Sequence, residues 1–173
     1  LQASGHWQRE DASWQLDASL KDGDLASVWQ QGSAPTATQD SGAPAQGRWS
    51  GQLSLSGQGL DGARWRGAFS ADVGAGHWSG IDLRAALSAG TAPGHGEART
   101  DWRRLQFDAQ IDGETTTLDT QLQGTGWRAR GQGSLRWPQA TLDLRWQALP
   151  PRRANPATAR LSGPWRSPGL TTP

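Results

Sequence analysis

The sequence predicts a mainly β fold: about eight antiparallel strands in a curved, one-sided sheet, forming an open groove or partly closed, with two short helices near 24–31 and 82–88. Three observations predict it. Apolar and polar residues alternate at period two in run after run, the pattern of a sheet with one apolar and one wet face. Glycine (23 residues of 173) and proline (10) punctuate those runs. Leu, Ile, Val and Phe number only 24, and 11 tryptophans supply the missing bulk. A buried Trp removes roughly 150–250 Å² from water, which at ~25 cal/mol/Å² stabilises by at most about 4–6 kcal/mol.

The elements follow in order. Trp14, Leu16, Ala18 and Leu20 occupy even positions of a first strand. Asp24 to Gln31 breaks the pattern: Leu25, Val28 and Trp29 fall at i, i+3 and i+4, with Asp24 as N-cap and Gly32 as stop. Residues 32–47 are small, polar and rich in Pro and Gly, and read as a flexible loop. Trp49, Leu53 and Leu55 resume alternation at odd positions. The run Ala63, Trp65, Gly67, Phe69, Ala71 and Val73 opposes Arg64, Arg66, Ser70 and Asp72 and reads as strand throughout.

A second helix is predicted where Asp82 caps Leu83 and Leu87 on one face, with Gly90 as its end. Each helix is about two turns long, too short to stand without docking on the sheet. Residues 88–99 form a second flexible loop. Leu105, Phe107, Ala109 and Ile111 then oppose Gln106, Asp108, Gln110 and Asp112, before a turn at Gly113 beside Glu114. Leu118 and Leu122 mark the next strand. Trp127, Ala129, Leu135 and Trp137 oppose Arg128, Arg130, Gln132, Ser134 and Arg136. Leu142, Leu144, Trp146 and Ala148 oppose Asp143, Arg145 and Gln147. Pro150 to Pro156 interrupts the last two strands, and Ala159, Leu161 and Trp165 form the final run.

Several function classes fall away. No stretch approaches ~18 consecutive apolar residues, so no helix here spans a membrane. The first residues carry neither an initiator Met nor a leader and read as processed or partial sequence. Without Cys there is no disulfide, thiolate metal site or Cys nucleophile. With 17 basic against 16 acidic residues, charge makes no case for nucleic acid. Arg alternates with Trp between Trp127 and Trp137, but strand geometry sends the two types to opposite faces, so they form no stacking groove.

Gly57-Gln-Gly-Leu-Asp-Gly62 matches G-x-G-x-x-G, yet a dinucleotide site needs a helix to begin there, and the following residues alternate as strand. It reads as a glycine-rich hairpin connection. His6, His77 and His95 lack metal-ligand spacing, and two lie in glycine-rich stretches read as loops. No G-x-S-x-G occurs and the carboxylates are scattered. The sequence predicts no catalysis, no cofactor and no metal.

What remains is the apolar face. The candidates for lining a lipid groove are Leu53, Leu55, Trp65, Phe69, Phe107, Ile111, Leu118, Leu122, Trp127, Leu135, Trp137, Leu142, Leu144 and Trp146. The same residues would equally fill a closed core, as in a sandwich. Two short helices are too little to cover eight strands of about 25 Å each, so either the sheet closes on itself or something apolar covers it.

One family carries a similar order of elements. Gly67-Ala-Phe-Ser-Ala-Asp-Val-Gly-Ala-Gly-His-Trp-Ser-Gly-Ile-Asp-Leu-Arg-Ala-Ala-Leu87 resembles a signature of AsmA-like proteins: a Gly-led strand, a turn, then Gly-Ile-Asp-Leu opening a short helix. Asp22-Gly-Asp-Leu25 and Leu53-x-Leu-x-Gly-x-Gly59 precede it in the expected order. Thr100-x-Trp-x-x-Leu-x-Phe-x-Ala-x-Ile-x-x-Gly113, Gly131-Gln-Gly-Ser-Leu135 with Leu142-x-Leu144, and Ala159-x-Leu-x-Gly-x-Trp-x-x-Pro168 follow. The resemblance spans Trp14 to Leu170. The strands depart from it in carrying Ala and Trp where the family prefers Val, Ile and Leu.

The resemblance implies a single β-rich module over 1–173, the C-terminal part of a longer envelope protein. It would be periplasmic and tethered to the inner membrane by an N-terminal helix outside this chain. Its partner would be phospholipid or another acyl-chain lipid, with other envelope proteins as further partners, and its role phospholipid transport between the membranes or outer-membrane assembly. Two alternatives stay open: a structural subunit of a secretion or envelope-assembly machine with a closed β core, and a Trp-rich sugar-binding domain. The fold is checked by far-UV circular dichroism. A β-dominated spectrum is expected, and one more than half helical overturns it.

Overall fold

A computed structural model describes residues 2–7, 12–30, 45–59, 61–89, 98–149, 158–165 and 168–172. Eleven strands form one open antiparallel sheet. They are β1 (Gln2–Trp7), β2 (Ser13–Asp24), β3 (Ala45–Gln58), β4 (Arg66–Ser79), β5 (Arg99–Trp102), β6 (Arg104–Asp112), β7 (Thr115–Gly124), β8 (Trp127–Arg136), β9 (Thr141–Leu149), β10 (Thr158–Pro164) and β11 (Gly169–Thr171). The order is a meander, β1-β2-β3-β4-β6-β7-β8-β9-β10-β11, with β5 pairing β4 beyond the end of β6. Helix α1 (Leu25–Gln30) follows β2 and helix α2 (Leu83–Ala89) follows β4.

The register explains why the sheet has two unlike faces. One row of paired positions runs Ala3, Ala18, Leu53, Phe69, Ala109, Leu118, Gly133, Leu144, Leu161, Leu170 across ten strands without a polar side chain. A neighbouring row runs Leu20, Gly51, Ala71, Phe107, Thr120, Gly131, Trp146, Ala159. Large residues sit beside small ones: Trp146 lies across Gly131, and a methyl on Gly131 would stand 2.8 Å from its ring. Thr120 is the polar member of that row. Fully buried, its hydroxyl donates to the Gly131 carbonyl at 3.1 Å, which answers its hydrogen-bonding need.

The core sits at one end of this face. Helix α2 lays Leu83, Ala86 and Leu87 over it, with Ile81 just before the helix, against β5, β9 and β10. Asp82 caps α2, its carboxylate accepting from the Ala85 N–H at 2.8 Å. Thr100 of β5 fastens the helix start, donating to the Ile81 carbonyl at 2.6 Å and accepting from the Leu83 N–H at 2.8 Å. Val73, Trp102, Leu105, Leu122, Leu142, Leu144, Trp146 and Leu161 belong to the same buried cluster, with Ala45, Ala129 and Ala159 as its small members.

Several expectations need correction. Among the described residues there are eleven strands rather than about eight, the additional ones being β1, β5 and β11. β1 alternates only Ala3 and Gly5 on its inner side, and β5 and β11 are four and three residues long, too short for a period to register. The run from Ala63 to Val73 is not all strand: Gly62–Arg64 is a 3₁₀ turn capped by Asp61, whose carboxylate accepts from the Ala63 N–H at 3.0 Å. His77 stands on β4 rather than in a loop. The stretch from Thr100 to Gly113 is two strands, parted at Arg103, whose N–H donates to the Gln123 carbonyl at 2.7 Å. That extra residue shifts parity, so Trp102 and Leu105 both face inward.

The N-caps at Asp24 and Asp82 and the Gly113 turn are as expected. The side chains of Val28 and Trp29, with Gly32, Gly90, His95 and most of both flexible-loop stretches, lie outside the described residues, as does Pro150 to Pro156. Packing across the rows predicts that Gly131→Ala lowers stability by about 1–3 kcal/mol, read as the urea midpoint. Gly62→Ala, where nothing lies within 4 Å of the added methyl, should move it by less than about 0.5 kcal/mol.

Candidate functional site

Alternation places all the strand-borne groove candidates on the apolar face, but burial divides them. Leu122, Leu142, Leu144 and Trp146 are buried in the core, Trp146 at 1% exposure and Leu122 at 1%. An acyl chain does not reach them in this arrangement, so they belong to the scaffold. Leu53, Leu55, Phe69, Phe107, Ile111, Leu118, Trp127 and Leu135 are half-buried, and Trp65 is half-buried just before β4. Trp137 lies past β8 in the β8–β9 turn and is 42% exposed.

Of the half-buried members, Leu53, Leu55, Phe69, Phe107 and Ile111 form a strip over β3, β4 and β6, with Leu16 and Ala18 of β2 beside Leu55 and Leu53. Leu118 on β7 and Trp127 and Leu135 on β8 instead pack against the buried core. Among the described residues, α1 packs at β3 and α2 at β5, β9 and β10, leaving the middle of this strip without a helix over it. Aromatic rings frame it. Trp14 meets Trp65 edge-on at 5.6 Å and donates its indole N–H to the Gly59 carbonyl at 2.7 Å. Trp49 meets Phe69 at 6.1 Å and 65°. Trp127 folds its indole over Gly124 at the start of β8, while Trp137 at the far end donates to Thr116 Oγ1 at 3.2 Å. Thr116 pairs Ile111 and Leu135 on the apolar side, so Trp137 reaches toward that face. Among the described residues this surface is aliphatic and aromatic, with the hydroxyls of Thr116 and Thr120 buried in it.

The opposite face is polar and laced with Arg–Asp pairs. Arg48 pairs with Asp22 at 2.6 Å, Arg66 with Asp112 at 2.6 Å and Arg160 with Asp143 at 2.7 Å. Arg104 pairs with Asp72, and Arg130 with Asp119, each joining two strands. Arg99 pairs with Asp101 within β5. Hydrogen bonds from Arg48, Arg130 and Arg160 hold the Asp22, Asp119 and Asp143 carboxyls below the usual carboxylate range. Alternation predicts that these residues face solvent. Pairing could not be read from the sequence, because it depends on which strands become neighbours. The polar face also carries shallow depressions, one of about 560 Å³ edged by Ser19, Gln52, Ser54, Ser70, Asp108 and Gln110.

Among the described residues, no three His, Cys, Asp or Glu side chains gather as metal ligands, and no helix is long and apolar enough to cross a membrane. Glycines of the G-x-G-x-x-G match lead into the 3₁₀ turn and β4, with no α-helix there to hold a pyrophosphate.

The lowered carboxyls imply a direction for acid. Each gives stability that is fully present above the unfolded value of about 3.9 and is lost as pH falls through the lower folded value. The urea midpoint should therefore drop between pH 5 and pH 2. Asp119→Asn removes one depressed carboxyl and should make that drop shallower, whereas an unchanged acid slope would show that the pair does not hold in solution.

No family model matches the chain, and no significant match to it exists among the curated proteins or the solved structures compared.

Proposed function

We propose that this chain is a non-enzymatic lipid-sheltering segment of a bacterial envelope protein, lying in the periplasm and serving phospholipid transport between the inner and outer membranes. The observation that carries this reading is the apolar strip whose middle no described helix covers: Leu16, Leu53, Leu55, Phe69 and Ile111 are only half-buried in a sheet that does not close. Continuous half-buried apolar surface on a sheet is costly to leave wet and marks a place for an apolar partner. Keeping ~30 acyl CH₂ groups out of water is worth on the order of 24 kcal/mol at ~0.8 each, ample to favour such a ligand without catalysis. The motif order resembling AsmA-like proteins supports the same reading and supplies its compartment.

Lipids brominated along their acyl chains test it, because bromine quenches Trp fluorescence only on near contact. Partial quenching is expected, and Trp137→Phe should remove the largest share. Trp146→Phe should leave the quenching nearly unchanged; the indole N–H of Trp146 has no partner, so that change breaks no hydrogen bond. Leu53→Asp should keep the β spectrum yet lose most lipid, since a carboxylate there gives up hydration without gaining a partner. Absence of quenching, or undiminished lipid on folded Leu53→Asp, overturns the reading and favours a partner protein on this face.

A further inference from the structure

The polar face is not electrically even. On β8, β9 and β10 it presents Arg128, Arg130, Arg136, Arg145 and Arg160, against Asp143 and, from β7, Asp119. Both carboxylates are engaged. Asp119 takes Arg130 and an amide N–H of Gln132 at 3.0 Å, while Asp143 takes the Arg160 fork at 2.8 and 2.7 Å. Arg145 lies between them, its Cα paired across the sheet with Gln132 on one side and Arg160 on the other. Its guanidinium hydrogen-bonds no described residue. A depression of about 390 Å³ opens here, edged by Arg130, Gln132, Ser134, Arg145, Gln147 and Arg160, with the Arg160-paired carboxylate of Asp143 also in its wall.

From this arrangement we infer that the depression around Arg145 is an anion site for a phosphate group. The donors converge from three adjacent strands, which suits an anion with several oxygens better than a single carboxylate. Asp119 and Asp143 take the Nε and one terminal nitrogen of Arg130 and Arg160, and the other terminal nitrogen of each bonds no described residue. Arg145 supplies the free planar fork, the side chain best matched to two phosphate oxygens at once. The amides of Gln132 and Gln147 add neutral donors. The excess of cations also reaches Asp143, whose carboxyl is lowered by Arg160 first and by Arg145 and Arg136 as well. This site is on the face opposite the apolar strip and does not rest on the lipid reading.

A phosphate of this kind could be free in solution or the headgroup of a phospholipid, and two arms separate the sources. In the first, inorganic phosphate is titrated into the whole chain and followed by ³¹P NMR. In the second, the chain is sedimented with phosphatidylcholine vesicles with and without phosphatidic acid. We expect saturable binding in at least one arm, weakened about tenfold or more by Arg145→Gln. Arg145→Lys, which keeps charge and loses the fork, should fall between. Arg84→Gln removes the same charge from an exposed position on α2 and should change binding by less than twofold. Binding in the phosphate arm alone assigns a soluble phosphate; preference for phosphatidic acid that Arg145→Gln abolishes assigns a headgroup. No binding in either arm, or equal losses in Arg84→Gln and Arg145→Gln with circular dichroism unchanged, overturns the site.

Discussion

The row of contacts from Ala3 through Leu53, Phe69 and Leu144 to Leu170 exists only while every strand enters the sheet with the same parity. A slip of one residue in any strand would send its whole apolar set to the wet face. Glycine makes the parity workable: Gly67 lies between Leu55 and Ile111, and Gly131 gives room to Trp146. Where the chain must shift parity, it does so by an added residue, as at Arg103, and Trp102 then donates its indole N–H to the Gly74 carbonyl at 2.9 Å. Alternation thus decides the faces, and small residues decide how closely the strands' side chains can nest.

Much of this was legible in the sequence because period-two alternation is local. Leu105 to Asp112 and Thr141 to Leu149 declare their faces within one strand, and the two N-caps need only three or four residues. The shortest strands were not legible, since three or four residues hold no period. Nor was depth of burial. Leu53 and Leu144 alternate in the same way and stand in one cross-strand row, yet Leu144 is core and Leu53 half-open. What separates them is α2, which docks near β9 and β10 from a distant point in the chain. No local pattern carries that information, so the candidates for a groove could be named as a face but not divided into scaffold and surface.

The ion pairs were hidden for the same reason. Arg66 and Asp112 are far apart in sequence and opposite in the sheet. Most of these side chains are largely exposed, so water and salt screen their attraction and they add little to stability. Their value lies in register: a like-charged pair across the same positions would oppose the pairing that the apolar face demands. Arg48 with Asp22 acts at the bulge of β2, where Asp22 takes a positive φ and parity changes.

The two faces therefore serve unlike purposes without competing. On the apolar side, one part is sealed by α2 and gives the sheet its stability, and the remainder stays half-open. Closing that remainder would need another helix or a second sheet, and extending the core would erase the surface on which we propose that hydrocarbon lies. On the polar side, paired charges join neighbouring strands, while Arg145 hydrogen-bonds no described residue and acts on Asp143 through its charge alone. In the anion site we propose, Arg145 stands between two arginines that Asp119 and Asp143 already pair. The alternation that builds the sheet also separates these chemistries, because no side chain on one face can reach the other.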